Sequence, residues 1–363
     1  MKILITGAHF TPAVATIEQL KKYPDVKVVY VGRKNTQEGD SSPSAESQEL
    51  PGLGIKYIPI ITGRLQRSFT FYTIPSLLKI PIGIIQATYI VLREKPDLIL
   101  SFGGYVAVPT VFIGWLLSIK IIVHEQTLVS GLANKISGFF ADKIALSFNQ
   151  VNRFDQTKTI ITGNPIRSLI KNLKKDRLTK GKFPQVLITG GNQGSHIINK
   201  TVEESLDELT KITSVIHVTG DNKFKDFERL KEKGDYQGRY LVKKWIGSEY
   251  GLVLQKVDLV VSRAGINTLS ELAYLSKPAL VIPFEPLYQD EQNKNAKFFQ
   301  KYGLVKIIPQ SKLSGKSLLE NIKFMLKNLT NLEQKARNAE TIIKPDAAKR
   351  LALECISLLT ERN

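Results

Sequence analysis

Short aliphatic and β-branched runs recur along the 363-residue chain at helix-sized intervals, and the series starts twice. The first series occupies residues 2–5, 26–30, 56–60, 97–100, 119–123, 143–145 and 159–161, and the second 185–188, 214–218, 239–242, 258–261, 279–282 and 305–308. Strands separated by helix-length segments lie parallel, with helices covering both faces of the sheet. A chain of this length also exceeds a single hydrophobic core. The expectation is an α/β protein with two doubly wound units. Such sheets bind ligands outside the carboxyl ends of their strands, so a cleft faced by the two units is the default active site.

Residues 170–184 carry Lys171, Lys174, Lys175, Lys180 and Lys182 without an apolar core pattern, as an exposed linker does. The expected division is a first domain over 1–167, a linker over 168–183, a second domain over 184–344 and a terminal helix over 345–363. Residues 37–52, rich in Ser, Glu and Pro, read as a loop, and 346–362 read as a helix started by Pro345. Two stretches approach membrane length, 75–92 and 102–119. Lys79 and Pro81 interrupt the first, and Gly103, Gly104 and Pro109 the second, so both read as helices and turns of a domain. The start runs from a short strand into Gly7 without the three-part pattern of a secretory leader, so no signal peptide is expected.

The excess of 51 Lys plus Arg over 33 Asp plus Glu leaves +18. That charge favours an anionic membrane surface or a polyanion, with lysines spread over solvated faces as the plainer alternative. The expected docking surface is residues 69–89, apolar and aromatic with Lys79 as an interruption, together with Arg64, Arg67, Arg93 and Lys135, the alternative being that those apolar residues are simply core. No aromatic and basic RNA motif accompanies it, so no nucleic acid is expected. Cys355 is the single cysteine, which excludes an internal disulfide, fits a reducing cytoplasm and suits a buried bystander. Four histidines lie scattered and no Asp-x-Asp occurs, so neither a tightly bound metal nor another tightly bound cofactor is expected.

Each series opens with a glycine turn. The first strand ends in Thr6-Gly7-Ala8-His9, where backbone N–H groups at a helix start can meet a phosphate; a lone turn histidine is otherwise an ordinary polar residue. The second opens with Thr189-Gly190-Gly191-Asn192-Gln193-Gly194-Ser195, suited to a diphosphate but matching neither a Walker A loop nor the dinucleotide fingerprint. After strand 258–261 come Arg263, Gly265, Ile266, Asn267, Thr268, Leu269, Ser270 and Glu271. Glu271 falls one turn into a helix, where a carboxylate can take both ribose hydroxyls. Asp290, Glu291, Gln292, Asn293 and Asn295 precede or open another helix; they suit sugar hydroxyls, or simple capping.

In combination these motifs resemble the MurG family of N-acetylglucosamine transferases over nearly the whole chain. The resemblance also rests on Phe102-Gly103-Gly104-Tyr105-Val106 with Pro109, His124-Glu125-Gln126 with Gly131 to Lys135, Gly163-Asn164-Pro165-Ile166-Arg167, and Pro345-Asp346-Ala347-Ala348. It implies a GT-B fold, with the lipid-linked acceptor on the first domain, the UDP-sugar donor on the second, and the final helix returning to the first. It also implies donor contacts at Arg167, Asn192, Ile246, Ile266 through Glu271 and Gln292, an acceptor loop at Thr6, Gly7 and Ala8, and His9 as candidate base. Three departures stand out: Ala8 replaces the last glycine of the family loop, Thr127, a substrate-binding candidate that can still donate one hydroxyl, stands for an asparagine, and Asn192 for a serine.

By this resemblance the chain is an inverting enzyme at the cytoplasmic side of the cell membrane, making the disaccharide lipid of peptidoglycan. Arg263 and the second domain's helix starts would steady the departing diphosphate. A diacylglycerol glycosyltransferase and a UDP-sugar 2-epimerase share the architecture and stand as alternatives.

Overall fold

The computed structural model describes residues 1–35, 44–63, 73–149, 154–173, 183–191, 193–247, 249–285 and 290–360. All thirteen runs form strands, within two residues of the expected ends. The chain divides into two compact units, Met1–Arg167 with Lys344–Asn363, and Ser168–Ile343.

The first unit is a seven-stranded parallel sheet: β1 (Lys2–Thr6), β2 (Lys27–Gly32), β3 (Lys56–Pro59), β4 (Leu98–Ser101), β5 (Lys120–Glu125), β6 (Lys143–Leu146) and β7 (Thr159–Ile161), in the order β3-β2-β1-β4-β5-β6-β7. Between its strands run α1 (Phe10–Leu20), α2 (Ala45–Gly52), α3 (Thr73–Glu94), α4 (Ala107–Leu116) and α5 (Leu132–Phe140). Alternation along β1 sends Ile3 and Ile5 to one face and Leu4 to the other. The first face is covered by α1 and the second by Ala87, Ile90 and Val91 of α3 with Val111 and Ile113 of α4.

The second unit is a six-stranded parallel sheet: β8 (Gln185–Thr189), β9 (Ser214–Val218), β10 (Tyr240–Lys243), β11 (Leu259–Ser262), β12 (Ala279–Val281) and β13 (Val305–Ile307), in the order β10-β9-β8-β11-β12-β13. Its helices are α6 (Ser168–Lys171), α7 (His196–Ile212), α8 (Asp226–Lys231), α9 (Tyr250–Lys256), α10 (Ile266–Tyr274), α11 (Glu291–Lys301), α12 (Gly315–Lys327) and α13 (Leu329–Glu340). Both sheets reverse their strand order once, between β1 and β4 and between β8 and β11. Each reversal opens a crevice at the carboxyl ends of those strands.

Helix α14 (Ala347–Thr360) belongs to the first unit, as expected. Leu351, Ala352, Cys355, Leu358 and Leu359 enter the α1 face of that core, and burial pushes the Cys355 thiol up, keeping it an inert apolar filler.

Two expectations are corrected. Residues 45–52, read as loop, form α2, because Ser44 accepts the Ser47 N–H as its cap and Leu50 is fully buried. The start of the expected linker is helical, and Ile170 of α6 is fully buried. The lysines at 174, 175, 180 and 182 lie outside the described residues. Leu351→Ala should cost the first unit about 2–5 kcal/mol, read as an earlier urea midpoint, since its side chain has no solvent to retreat to.

Candidate functional site

In the first unit the crevice is built by backbones in contact. Gly7 holds φ +141°, and a Cβ there would stand 2.8 Å from the Gly103 carbonyl oxygen, so no other residue fits. Ala8 N–H donates to that same oxygen at 2.9 Å, which locks the β1 turn to the β4 turn. His9 follows at the start of α1, half-buried, with its ring making no cap to the helix. Burial, and then the charge of Arg33, hold its pKa down to about 4.

Beside this turn lies a buried carboxylate that reading by motif left without a role. Glu125 accepts from Thr127 N–H at 3.0 Å, Thr127 Oγ1 at 2.8 Å, Gly131 N–H at 3.2 Å and Asn134 Nδ2 at 3.0 Å. Burial still raises it above the ordinary carboxylate range. Thr127 was expected to offer its hydroxyl to substrate; the structure directs that hydroxyl at Glu125 Oε1 and the Val129 carbonyl. His124 is buried at a pKa of about 4, with Nε2 facing the Gly163 carbonyl at 3.2 Å. Around this point Thr6 Oγ1, His124 Nδ1, Gln126 Oε1 and Ser130 Oγ are buried polar atoms without a hydrogen bond among the described residues. Native interiors carry few such atoms, and a cluster at a crevice marks a place prepared for a polar ligand or water.

In the second unit the β8 turn and the β11 turn are joined by one side chain. Arg263 donates through one terminal nitrogen to Ser195 Oγ at 2.7 Å and through the other to the Ile282 carbonyl at 3.1 Å, and it lies over the Phe284 ring. Burial lowers its pKa to about 10, so the guanidinium is charged at neutral pH. Ser195 and Gly265 precede α7 and α10 without giving either helix a side-chain cap. Two helix starts without a side-chain cap from the residue that precedes them therefore stand beside a fixed cation, an arrangement that suits a multiply charged anion. Gly194, at φ +72°, packs against the Thr219 carbonyl where a side chain would collide.

The other donor-side residues separate by burial. Asn267 and Thr268 are half-buried on α10, and Glu271 lies one turn on along the same face, buried. Ile266 is buried, Leu269 belongs wholly to the interior, and the Ser270 hydroxyl is spent on the Ile266 carbonyl at 2.8 Å. Gln292 and Asn295 act as braces: Gln292 Oε1 accepts from Ala264 N–H at 3.2 Å and Phe284 N–H at 2.9 Å, and Asn295 Nδ2 donates to the Ala264 carbonyl at 3.3 Å. Ile246 is buried beyond β10, Gln193 is exposed, and Asn192 lies outside the described residues. Arg167, expected on the donor side, is the last residue of the first unit, within reach of the Glu49 carboxylate.

Behind the β8 turn is a polar network with no local signature. Asp226 faces His196 Nδ1 at 2.9 Å, accepts from Asn199 Nδ2 at 2.8 Å and Asn222 Nδ2 at 3.1 Å, and pairs with Arg229. Asn199 Oδ1 meets His217 Nε2 at 3.0 Å, and Tyr240 OH meets His217 Nδ1 at 2.9 Å. The one clue in the sequence is His217 among the apolar residues 215–218 of β9.

The chain matches the model of the glycosyltransferase family 28 N-terminal domain over residues 6–146 and that of the family 28 C-terminal domain over 185–351. It is 34% identical over 364 residues, 97% of each chain, to the UDP-N-acetylglucosamine–N-acetylmuramyl-(pentapeptide) pyrophosphoryl-undecaprenol N-acetylglucosamine transferase of Bacillus cytotoxicus. Among solved structures it is similar to MurG of Acinetobacter baumannii, with a TM-score of 0.69, 22% identity and 99% of each chain covered. The UDP-GlcNAc 2-epimerase of Neisseria meningitidis, at 15% identity and a TM-score of 0.64 over 100% of both chains, shares the fold alone.

Asp226→Ala should destabilise the second unit by about 3–5 kcal/mol in urea unfolding, because four donors lose a fully buried charged partner.

Proposed function

The chain belongs to glycosyltransferase family 28, and from that membership we propose that it is a hexosyltransferase that moves N-acetylglucosamine from UDP-N-acetylglucosamine to muramyl-pentapeptide pyrophosphoryl-undecaprenol. The observation that carries the reading is the second unit's crevice. There Arg263, two uncapped helix starts and a glycine turn offer positive potential to a diphosphate, while Glu271 stands one turn inside α10 to take the ribose hydroxyls. Near-full-length similarity to an enzyme named for this transfer supports the same donor and acceptor.

The chemistry asks little beyond these groups. The acceptor hydroxyl oxygen bonds to the anomeric carbon as the bond to the diphosphate oxygen breaks, and UDP leaves with the electron pair, inverting the centre. Arg263 and the α7 and α10 starts stabilise the charge that develops on the leaving diphosphate, so no tightly bound metal or cofactor enters the proposal. The acceptor proton passes to His9. Held neutral down to about pH 4, His9 is a weak base, but the hydroxyl becomes strongly acidic as its oxygen bonds to carbon.

An undecaprenyl acceptor stays in the bilayer, so the enzyme must reach the membrane surface. Ser76–Glu94 is long and apolar enough to cross a membrane, yet its inner face is tied into the first unit's core. Its outer face leaves Leu78 and Ile85 68% and 69% exposed, with Tyr89 beside them, and α4 and α5 add Trp115 and Phe139. Core packing therefore explains one face of α3 and not the other. Lys79, Arg93 and Lys135 are the neighbouring cations among the described residues; Arg64, Arg67 and residues 69–72, also expected at this surface, lie outside them. The proposed location is peripheral, on the cytoplasmic leaflet.

The direct test is radiolabelled product from UDP-N-acetylglucosamine and the lipid-linked muramoyl acceptor; an inactive wild-type protein in detergent or vesicles would sink the proposal. His9→Ala should lower turnover by roughly 10²- to 10⁴-fold with donor affinity kept. The acid limb of wild-type kcat/KM should lie near pH 4 rather than 6.5, since protonation removes the base. Flotation with vesicles should show salt-sensitive binding to anionic lipid, weakened by about 1 kcal/mol for each of Lys79→Glu and Arg93→Glu. Equal binding to neutral and anionic vesicles at low salt would remove electrostatics from the account.

A further inference from the structure

Arg33 stands at the carboxyl edge of the first sheet, and neither the fold nor the reaction as derived above uses its side chain. Pairing of β1 with β2 sets Thr6 against Val31. The next residues of each strand then bring Gly32 and Arg33 alongside Gly7 and Ala8, next to His9. The position is held from several directions. Ser44 Oγ donates to the Arg33 carbonyl at 2.6 Å and the Tyr57 hydroxyl donates to the same oxygen. Tyr30, stacked on Tyr57, donates to the Gly7 carbonyl at 3.0 Å and so ties the end of β2 to the glycine turn.

The guanidinium itself is oriented by a carboxylate. Arg33 Nε donates to Glu46 Oε1 at 3.3 Å, with Glu46 only 1% exposed and Arg33 23% exposed. Burial raises the Glu46 pKa and the Arg33 charge opposes the rise, as expected of a carboxylate whose main role is to hold its neighbour. With Nε turned inward, the two terminal nitrogens make no hydrogen bond to any described residue. Left open among the described residues, that edge is the fork that binds phosphate oxygens in pairs. Its charge reaches His9, where it adds to burial in keeping the ring neutral.

We propose that Arg33, oriented by Glu46, binds phosphate oxygens of the acceptor's diphosphate and so holds the acceptor hydroxyl at His9. The assignment rests on the transferase reading. It makes Arg33 a substrate-binding residue and Glu46 a positioning residue.

Initial rates of wild type, Arg33→Ala and Arg33→Lys would be measured with UDP-N-acetylglucosamine and two acceptors, the lipid-linked muramoyl diphosphate and a muramoyl-peptide glycoside that lacks the diphosphate. Circular dichroism would check that each variant is folded. Arg33→Ala should raise the KM of the diphosphate acceptor roughly ten- to a hundredfold and leave the donor KM within about twofold, with Arg33→Lys recovering part of the loss. The penalty should vanish with the diphosphate-free acceptor. The acid limb of kcat/KM should also move to higher pH in Arg33→Ala, because the His9 imidazolium loses a repelling neighbour. An unchanged acceptor KM in a folded variant would overturn the assignment, as would an equal penalty with both acceptors, which would point to the peptide carboxylates. A parallel rise of both KM values would reduce Arg33 to a structural role. If the wild type transferred nothing to the lipid acceptor, the transferase reading would fail and this assignment with it; transfer with an indifferent Arg33 would fail the assignment alone.

Discussion

Reversal of strand order inside each parallel sheet is the constraint on which the functional surfaces depend. At β1 and β4, and again at β8 and β11, neighbouring strands send their connections to opposite faces, so two turns meet with open space above them. What closes each junction differs. In the first unit it is backbone on backbone, Gly7 and Ala8 against Gly103. In the second it is a charged side chain, Arg263, bound to Ser195. A glycine junction leaves room for a ligand close to the chain, while an arginine junction places charge there. Under the proposed function, the first junction suits an acceptor that must approach a base and the second a donor that must release an anion.

Both units keep polar side chains where an apolar core would be simpler. Glu125 with four hydrogen-bond contacts from Thr127, Gly131 and Asn134, and Asp226 with His196, Asn199, Asn222 and Arg229, are buried carboxylates almost fully satisfied by neighbours. Such groups are costly to bury and costlier to leave half-paired, so they hold one geometry strongly. Each network lies beside a turn at the carboxyl end of a sheet. Rigidity is thus concentrated beneath the crevices, while the outer face of α3 is left apolar and unpacked.

Much of the site was legible as turn chemistry. Glycine after an apolar strand reports a tight turn, and Gly7 and Gly194 take positive φ as that reading requires. The roles of individual polar side chains were less legible. Thr127, Gln292 and Asn295 have the donors and acceptors that suit a sugar, yet their bonds run to Glu125, Ala264 and Phe284. Leu269, included by its place in a motif, faces the interior because its helix must bury one side.

The sequence alone determined the number and type of the strands and the two-unit plan, because each is written in periodicity and turn residues over a few neighbours; the return of the last helix was implied only by the family resemblance. Residues 45–52 misled for a local reason: a Ser, Glu and Pro composition suits a loop, and the capped helix is secured by Leu50 reaching a core formed elsewhere in the chain. Only the tertiary structure decided which polar groups meet. Arg263 finds Ser195 across 68 residues, His196 finds Asp226 across 30, and Arg33 comes beside His9 through pairing of β1 with β2. Those meetings follow from sheet order and register, which no local pattern encodes, since the energy that selects them comes from the whole core packing at once.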